Sequence, residues 1–287
     1  MISVAQLRES LPFPAVDAHK YSRGKCVLVA GSAAYPGAAC LAAKASQFAG
    51  AGYTQVYTAP ENRLTLRLYR PSLVVSSFDE AEADEMLKPQ AQGGFVVGPG
   101  FDARDPQTCT LLRQVLSLYA APVLVDGGAL SWLPSLRQEE SWNSFAAIRR
   151  SALVLTPHAG EAARLGKPFG IDTNQLSQEE AARALSVCYG ATVVFKGPDT
   201  VVAQTARREW ITNGTAALSK AGTGDVLAGT IGGLLAQGME PFMASVVGAY
   251  IHAEAGSLAA QRYGVISTSA EEMLEALPEA FRNIANQ

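Results

Sequence analysis

The feature that most constrains this chain is an alternation of short, continuously apolar runs with longer stretches of helical period. The runs Cys26–Ala30, Tyr53–Thr58, Leu73–Ser76, Phe95–Val97, Val123–Asp126, Leu153–Thr156 and Thr192–Lys196 read as strands. They do not alternate apolar with polar, which is the pattern of a sheet covered on both faces. Between them lie helical stretches such as Ala38–Ala49, Pro106–Leu118 and Gln178–Tyr189. The last opens on Ser177-Gln178-Glu179-Glu180, a capping box. Strands separated in this way by helices specify an α/β fold with a central, mostly parallel sheet and helices on both faces.

After residue 200 the pattern changes. Val201–Ala203 and Glu209–Ile211 read as a short hairpin around Ala206-Arg207-Arg208. Two apolar helices follow, Asp225–Gln237 and Pro241–Arg262, and a last helix starts at a second capping box, Ser269-Ala270-Glu271-Glu272. No Pro/Gly/Ser linker, charge block or repeat interrupts the 287 residues, so residues 1–287 read as one domain. Ser131–Arg150, with Trp132 and Trp142, matches no pattern and reads as an insertion.

Composition removes several classes. Lys and Arg number 23 against 26 Asp and Glu, a net charge of −3, which argues against nucleic acid as a partner. Apolar residues make up 48% and charged residues 17%, enough for a sizeable core and too ordered a composition for a disordered chain. The low charge also leaves surface that an oligomer would cover. Cys26, Cys40, Cys109 and Cys188 form neither a C-x-x-C pair nor a zinc spacing, and imply reduced thiols in the cytoplasm. The N-terminus is interrupted by Arg8, Glu9, Asp17 and Lys20, so it is no signal peptide, and the apolar stretch from Cys26 to Ala43 is broken by Gly31, Pro36 and Gly37, so it is no membrane span.

Small residues gather where the strands end: Gly31-Ser32, Gly98-Pro99-Gly100, Asp126-Gly127-Gly128, Thr156-Pro157-His158 and Lys196-Gly197. Open α/β sheets bind ligands at those ends. The sharpest signal is Ala221-Gly222-Thr223-Gly224-Asp225-Val226-Leu227-Ala228-Gly229. Its glycines let the backbone approach a ligand, and the helix behind it presents free N–H groups and a positive dipole end, a site for a phosphate. Asp225 either caps that helix or removes a proton from a hydroxyl that attacks the phosphate. Neither a P-loop, a dinucleotide G-x-G-x-x-G after the first strand nor a G-x-S-x-G elbow is present. A phosphate loop placed this late in the chain belongs to ribokinase-like folds.

The combination resembles the ADP/ATP-dependent (S)-NAD(P)H-hydrate dehydratase family, from about Lys20 to about Arg262. The matching pieces are Lys25-Cys26-Val27-Leu28-Val29-Ala30-Gly31-Ser32, Tyr35-Pro36-Gly37-Ala38, Gly50-Ala51-Gly52, Val97-Gly98-Pro99-Gly100, Leu155-Thr156-Pro157-His158, Gly160-Glu161, Lys196-Gly197-Pro198-Asp199-Thr200 and the 222–229 loop. The resemblance implies a ribokinase-like fold and repair of hydrated NADH and NADPH (NADHX and NADPHX). The S form is phosphorylated on its hydroxyl by ADP or ATP, and loss of phosphate restores the nicotinamide ring. Mg²⁺ is expected on the nucleotide phosphates.

By the same resemblance Asp225 is the catalytic base, and the amides of Gly222, Thr223 and Gly224 stabilise the transferring phosphoryl group. Ala38, Gly100, His158 and Asp225 contact the hydrated dinucleotide, and Lys196, Gly197, Pro198, Asp199, Thr200 and Gly224 contact the adenine nucleotide. His158 has a second reading as a strand-end histidine bonded to backbone, Glu161 as a first-turn acid on the helix dipole, and Asn213 as a turn residue rather than a nucleotide contact. Asp126-Gly127-Gly128 departs from the family's Asp-Ala-Asp, keeping the first acid and losing the second. The resemblance also implies a homotetramer and, because the first strand starts at Cys26 with no epimerase domain before it, a separate epimerase supplying the S form. The rival readings are a hydroxyl kinase of the same fold, of hydroxyethylthiazole or hydroxymethylpyrimidine type, and an inactive nucleotide sensor.

Overall fold

The computed structural model describes residues 2–81, 93–118, 121–139, 142 and 153–287. Nine strands, β1 (Lys25–Val29), β2 (Tyr53–Thr58), β3 (Val74–Ser77), β4 (Gly94–Val97), β5 (Val123–Val125), β6 (Leu153–Leu155), β7 (Ala191–Phe195), β8 (Thr200–Gln204) and β9 (Arg207–Ile211), form one sheet. Their order is β3-β2-β1-β4-β5-β6-β7-β8-β9. All neighbours from β3 to β7 are parallel, and β7–β8 and β8–β9 are antiparallel. The continuous apolar runs follow from the period of two along a strand. Cys26, Leu28, Val96, Leu124, Val154, Val194 and Val202 enter one core, and Val27, Val29, Val97, Val123, Leu155, Val193 and Val201 enter the other.

Helices cover both faces. Pro36–Phe48, Thr223–Ala236, Pro241–Tyr263 and Ala270–Ala285 close the first core, and Pro106–Leu118, Ala159–Gly166 and Gln178–Tyr189 close the second. The two capping boxes form at Ser177 and Ser269 as the sequence reads. Helix 223–236 lies directly on helix 36–48: a Cβ placed on Gly229 would stand 2.1 Å from the Ala42 carbonyl oxygen. That close approach fixes the loop preceding helix 223–236 against the sheet.

The read strands at β5, β6 and β7 each overshoot by one residue. Asp126 and Thr156 follow directly on the last paired residues of β5 and β6, and Lys196 follows β7 with one isolated bridge to His158. The described part of Ser131–Arg150 packs on the second core through Leu133, Leu136 and Trp142. Leu133 and Leu136 are fully buried, and Trp142 packs edge-on against Tyr189 with ring centres 5.8 Å apart. Residues 140–141 and 143–150 of that stretch lie outside the described residues.

Candidate active site

The chain runs outward from β1 to β3 and returns to β4 on the other side of β1, so the strand order reverses between β1 and β4. Such a switch point opens a crevice at the strand ends. The two glycine loops there are zipped together: the Gly31 N–H donates to Pro99 O (2.8 Å) and the Ser32 N–H to Gly100 O (2.8 Å). Ala38 and Gly100 meet in this crevice, where a Cβ on Gly100 would stand 2.7 Å from the Ala38 Cβ.

Further along the same edge the strand ends bring the charged residues together. The Lys196 N–H donates to Pro157 O (2.8 Å), and a β-bridge joins His158 to Lys196 beyond the ends of β6 and β7. The Lys196 Nζ donates to Asp126 Oδ1 (2.9 Å), which also accepts from the Thr156 hydroxyl (2.6 Å). Glu161 Oε2 lies 3.8 Å from the same Nζ. Asp126 is 3% exposed and Glu161 7%, so this lysine is the cation compensating two buried carboxylates. Burial pulls the Lys196 pKa down, but Asp126, Glu161 and Asp225 together outweigh it and hold the ammonium above its ordinary range.

Asp225 sits in the first turn of helix 223–236. Burial and the neighbouring Asp126 charge push its pKa up from 3.8 to about 7, against the opposing pull of Lys196. A carboxylate poised near neutral pH is suited to take a proton and hand it on. Gly222 caps the helix at φ +92°, a left-handed conformation that leaves no room for a side chain, since a Cβ would meet Leu41 Cδ1 at 2.8 Å. The Thr223 hydroxyl is within bonding distance of Leu218 O (2.8 Å) and Lys220 O (2.9 Å), and the Thr223 N–H turns back to Lys220 O at 3.4 Å. Of the amides at this helix end that of Thr223 is turned back into the loop, whereas those of Gly224 and Asp225 in the first turn have no partner within the helix.

Beside this loop lies a cavity of about 780 Å³. Lys196, Gly197, Pro198, Thr200, His158, Thr223 and Gly224 line it from the read set, with an apolar wall of Ile211, Leu218, Leu227, Ala249 and Ala253. Its size and its one apolar wall facing a cationic, amide-bearing end match a heteroaromatic base followed by phosphates. Asp199 does not line it; its carbonyl accepts from Gln178 Nε2 at 2.9 Å. His158 does two things. Its Nδ1 caps helix 159–166 by accepting from the Gly160 N–H at 3.0 Å, and its exposed ring edges the cavity. Glu161 completes that capping box through the His158 N–H at 2.8 Å. Asn213 ties to helix 241–263, its Nδ2 donating to Tyr250 O and its backbone carbonyl accepting from the Ser257 hydroxyl.

Position 128 has a steric reason to lack an acid: a Cβ there would stand 2.2 Å from Phe101 O. Sequence reasoning missed His252, which lines the cavity and bonds the Thr223 carbonyl, and missed the apolar wall. His252, Ala249 and Ala253 sit in a stretch that reads only as apolar helix, and Ile211 in one that reads only as hairpin.

Comparison with known proteins shows the family and the fold. The family model for NAD(P)H-hydrate dehydratase matches residues 26–279. The ADP-dependent (S)-NAD(P)H-hydrate dehydratase of Xanthomonas campestris is 33% identical over 96% of this chain and 94% of its own length. The chain spans about half, 54%, of the bifunctional NAD(P)H-hydrate repair enzyme of Moorella thermoacetica, 31% identical over 100% of this chain. The crystal structure of the ADP/ATP-dependent NAD(P)H-hydrate dehydratase of Bacillus subtilis, co-crystallized with ATP/Mg²⁺, superposes with a TM-score of 0.81 at 25% identity, covering 98% of this chain and 97% of that one. The fold is ribokinase-like.

Proposed function

This chain belongs to the NAD(P)H-hydrate dehydratase family, and from that premise we propose that it dehydrates the S form of NADHX and NADPHX at the expense of ADP or ATP. The observation that carries the reading is Asp225, held near neutral pH at the open end of a helix, beside Lys196 and a nucleotide-sized cavity. The hydrated dinucleotide runs from the crevice of Ala38 and Gly100 toward His158 at the edge of the cavity, with its ring hydroxyl at Asp225. The nucleotide occupies the cavity of Lys196, Gly197, Pro198, Thr200 and Gly224.

Asp225 takes the hydroxyl proton as the oxygen attacks the terminal phosphorus, and AMP leaves from ADP (or ADP from ATP). The Gly224 and Asp225 amides and the Lys196 ammonium stabilise the charge on the phosphoryl oxygens. The ring nitrogen's electron pair then expels phosphate. Loss of the neighbouring ring proton restores the double bond, so one hydrate and one ADP give NAD(P)H, AMP and phosphate.

The residues fit a nucleotide-borne Mg²⁺. Among the described residues no group of three or more His, Cys, Asp or Glu could hold a metal alone. Yet Asp126, Glu161 and Asp225 all act on one lysine, an oxygen-rich edge with negative charge in excess. A cation held through phosphates and one or two carboxylates suits that edge, with Asp126 and Glu161 as the carboxylates facing it. When bound, Mg²⁺ would neutralise phosphate charge as it develops.

Further expectations go with this reading. The domain matched over residues 26–279 works in the cytoplasm, where its four thiols stay reduced, on the S hydrate that an epimerase supplies. A homotetramer is supported by Leu64, Leu68 and Val74, apolar and exposed on and beside the edge strand β3. The test is turnover of S-NADHX, followed by the absorbance of NADH, with ADP, with ATP and with neither. Nucleotide-dependent recovery that falls by ~10³-fold or more in Asp225→Asn is expected for loss of the base together with its positioning. No recovery by folded protein that still binds nucleotide refutes the dehydratase and turns the search to kinase substrates.

A further inference from the structure

His252 stands in the middle of helix 241–263, between the buried Ile251 and Ala253. A polar ring in such a place needs a partner. Its Nε2 lies 2.8 Å from the Thr223 carbonyl oxygen. A carbonyl oxygen only accepts, so Nε2 bears the proton and donates. Burial keeps the ring neutral by pushing its pKa down to about 4, so the donor at working pH is the neutral Nε2–H tautomer.

The consequence follows from peptide geometry. The Thr223 carbonyl and the Gly224 N–H belong to one trans peptide unit and point in opposite directions. A bond that draws the carbonyl toward helix 241–263 therefore turns the Gly224 N–H away from it. Lys196 stands beside this residue: its Nζ would be 3.4 Å from a Cβ on Gly224. The preceding residue is Gly222 at φ +92°, a joint with no side chain to hold it. The Thr223 hydroxyl anchors one side of the turn to Leu218 and Lys220, and His252 anchors the carbonyl side.

We propose that His252 is a positioning residue for phosphoryl transfer: its Nε2–H bond to the Thr223 carbonyl aims the Gly224 amide, beside the Lys196 ammonium, at the transferring phosphoryl group. This rests on the reading of the 222–225 loop as the phosphoryl site. The effect falls on the transition state, because a misaimed amide still meets ground-state ADP through Lys196 and the cavity wall but no longer meets the oxygens as charge builds on them.

The experiment compares wild type with His252→Leu, His252→Asn and His252→Gln in S-NADHX turnover and in calorimetric titration with ADP. The amide nitrogen of glutamine stands at about the place of Nε2, and that of asparagine at the place of Nδ1. The Leu and Asn variants should lose about 10–100-fold in kcat while their Kd for ADP stays within about threefold of wild type, and the Gln variant should recover to within about threefold in both. Weaker ADP binding with kcat unchanged would overturn the proposal, because the ring would then be touching the nucleotide. So would an unchanged kcat in the Leu variant, or a Gln variant as impaired as Leu. Nitrogen-15 NMR of the wild-type imidazole reads the bond without activity and stands in if a variant fails to fold. It should show Nε2 protonated and its proton slow to exchange; an unprotonated Nε2 overturns the proposal. Wild-type protein that binds ADP but turns nothing over would sink the dehydratase reading and leave the NMR test of the tether in force.

Discussion

The raised pKa of Asp225 has a direct kinetic consequence. As the proposed base Asp225 must be ionised to accept the hydroxyl proton, and its pKa is about 7 rather than 3.8, with burial as the largest cause, Asp126 next and Lys196 opposing. About half the enzyme is then competent at pH 7, about a tenth at pH 6 and about a hundredth at pH 5. An unperturbed carboxylate would leave the rate flat down to about pH 5. The charged groups acting on Asp225 are Asp126 and Lys196, and Lys196 is in turn shared with Glu161. Asp126→Asn removes the like charge and leaves the opposing lysine, so the acid limb should move to lower pH. The assay is kcat/KM for S-NADHX from initial rates between pH 5.5 and 8.5 at saturating Mg²⁺ and ADP. A wild-type profile flat to pH 5.5, or a limb that stays or rises in Asp126→Asn, refutes the assignment of base and perturber. Stability gives an independent check. Folded Asp225 keeps its proton up to about pH 7 while the unfolded chain releases it near pH 4, so this residue lowers stability as pH rises between those values. His252 acts oppositely: its folded pKa of about 4 lies below the unfolded 6.5, so its contribution is present above pH 6.5 and is lost as pH falls through about 4. Urea melts of Asp225→Asn should therefore show stability rising more steeply with pH over 4–6.5 than wild type.

Other substitutions test the frame around the site. Gly229→Ala would gain ~1 kcal/mol in an ordinary helix, but here its Cβ would stand 2.1 Å from Ala42 O, and prying two backbones apart costs ~1–3 kcal/mol. Its Tm should fall by about 2–4 °C on calorimetry, and a rise would refute the close packing of helix 223–236 on helix 36–48. Lys196→Met leaves the buried Asp126 with only the Thr156 hydroxyl, which should cost ~3 kcal/mol and weaken ADP binding by at least tenfold. In urea melts the Lys196→Met/Asp126→Asn double variant should be destabilised by clearly less than the sum of the singles; additivity would mean the two groups do not interact.

The legible part of this protein is the part its strands impose. Continuous apolar runs such as Val123–Val125 and Ala191–Phe195 could only be strands buried on both faces, and the residues just past them could only face the ligand edge. Asp126, Thr156 and Lys196 were accordingly placed along the sequence, but read as strand ends, because nothing local tells a last paired residue from a first unpaired one. Their joining into one hydrogen-bonded group depends on β5, β6 and β7 being neighbours, a fact of sheet order rather than of any segment. The 222–229 loop stood out because glycines before an apolar helix change the local pattern. His252 left no such mark. In helix 241–263 a histidine between Ile251 and Ala253 carries no motif that separates it from the rest of an apolar helix. What gives it consequence is that its partner is the Thr223 carbonyl, 29 residues earlier in the chain and one peptide from the phosphoryl site. Residues that act on a ligand leave their chemistry in the sequence, whereas residues that aim other residues leave it only in the packing.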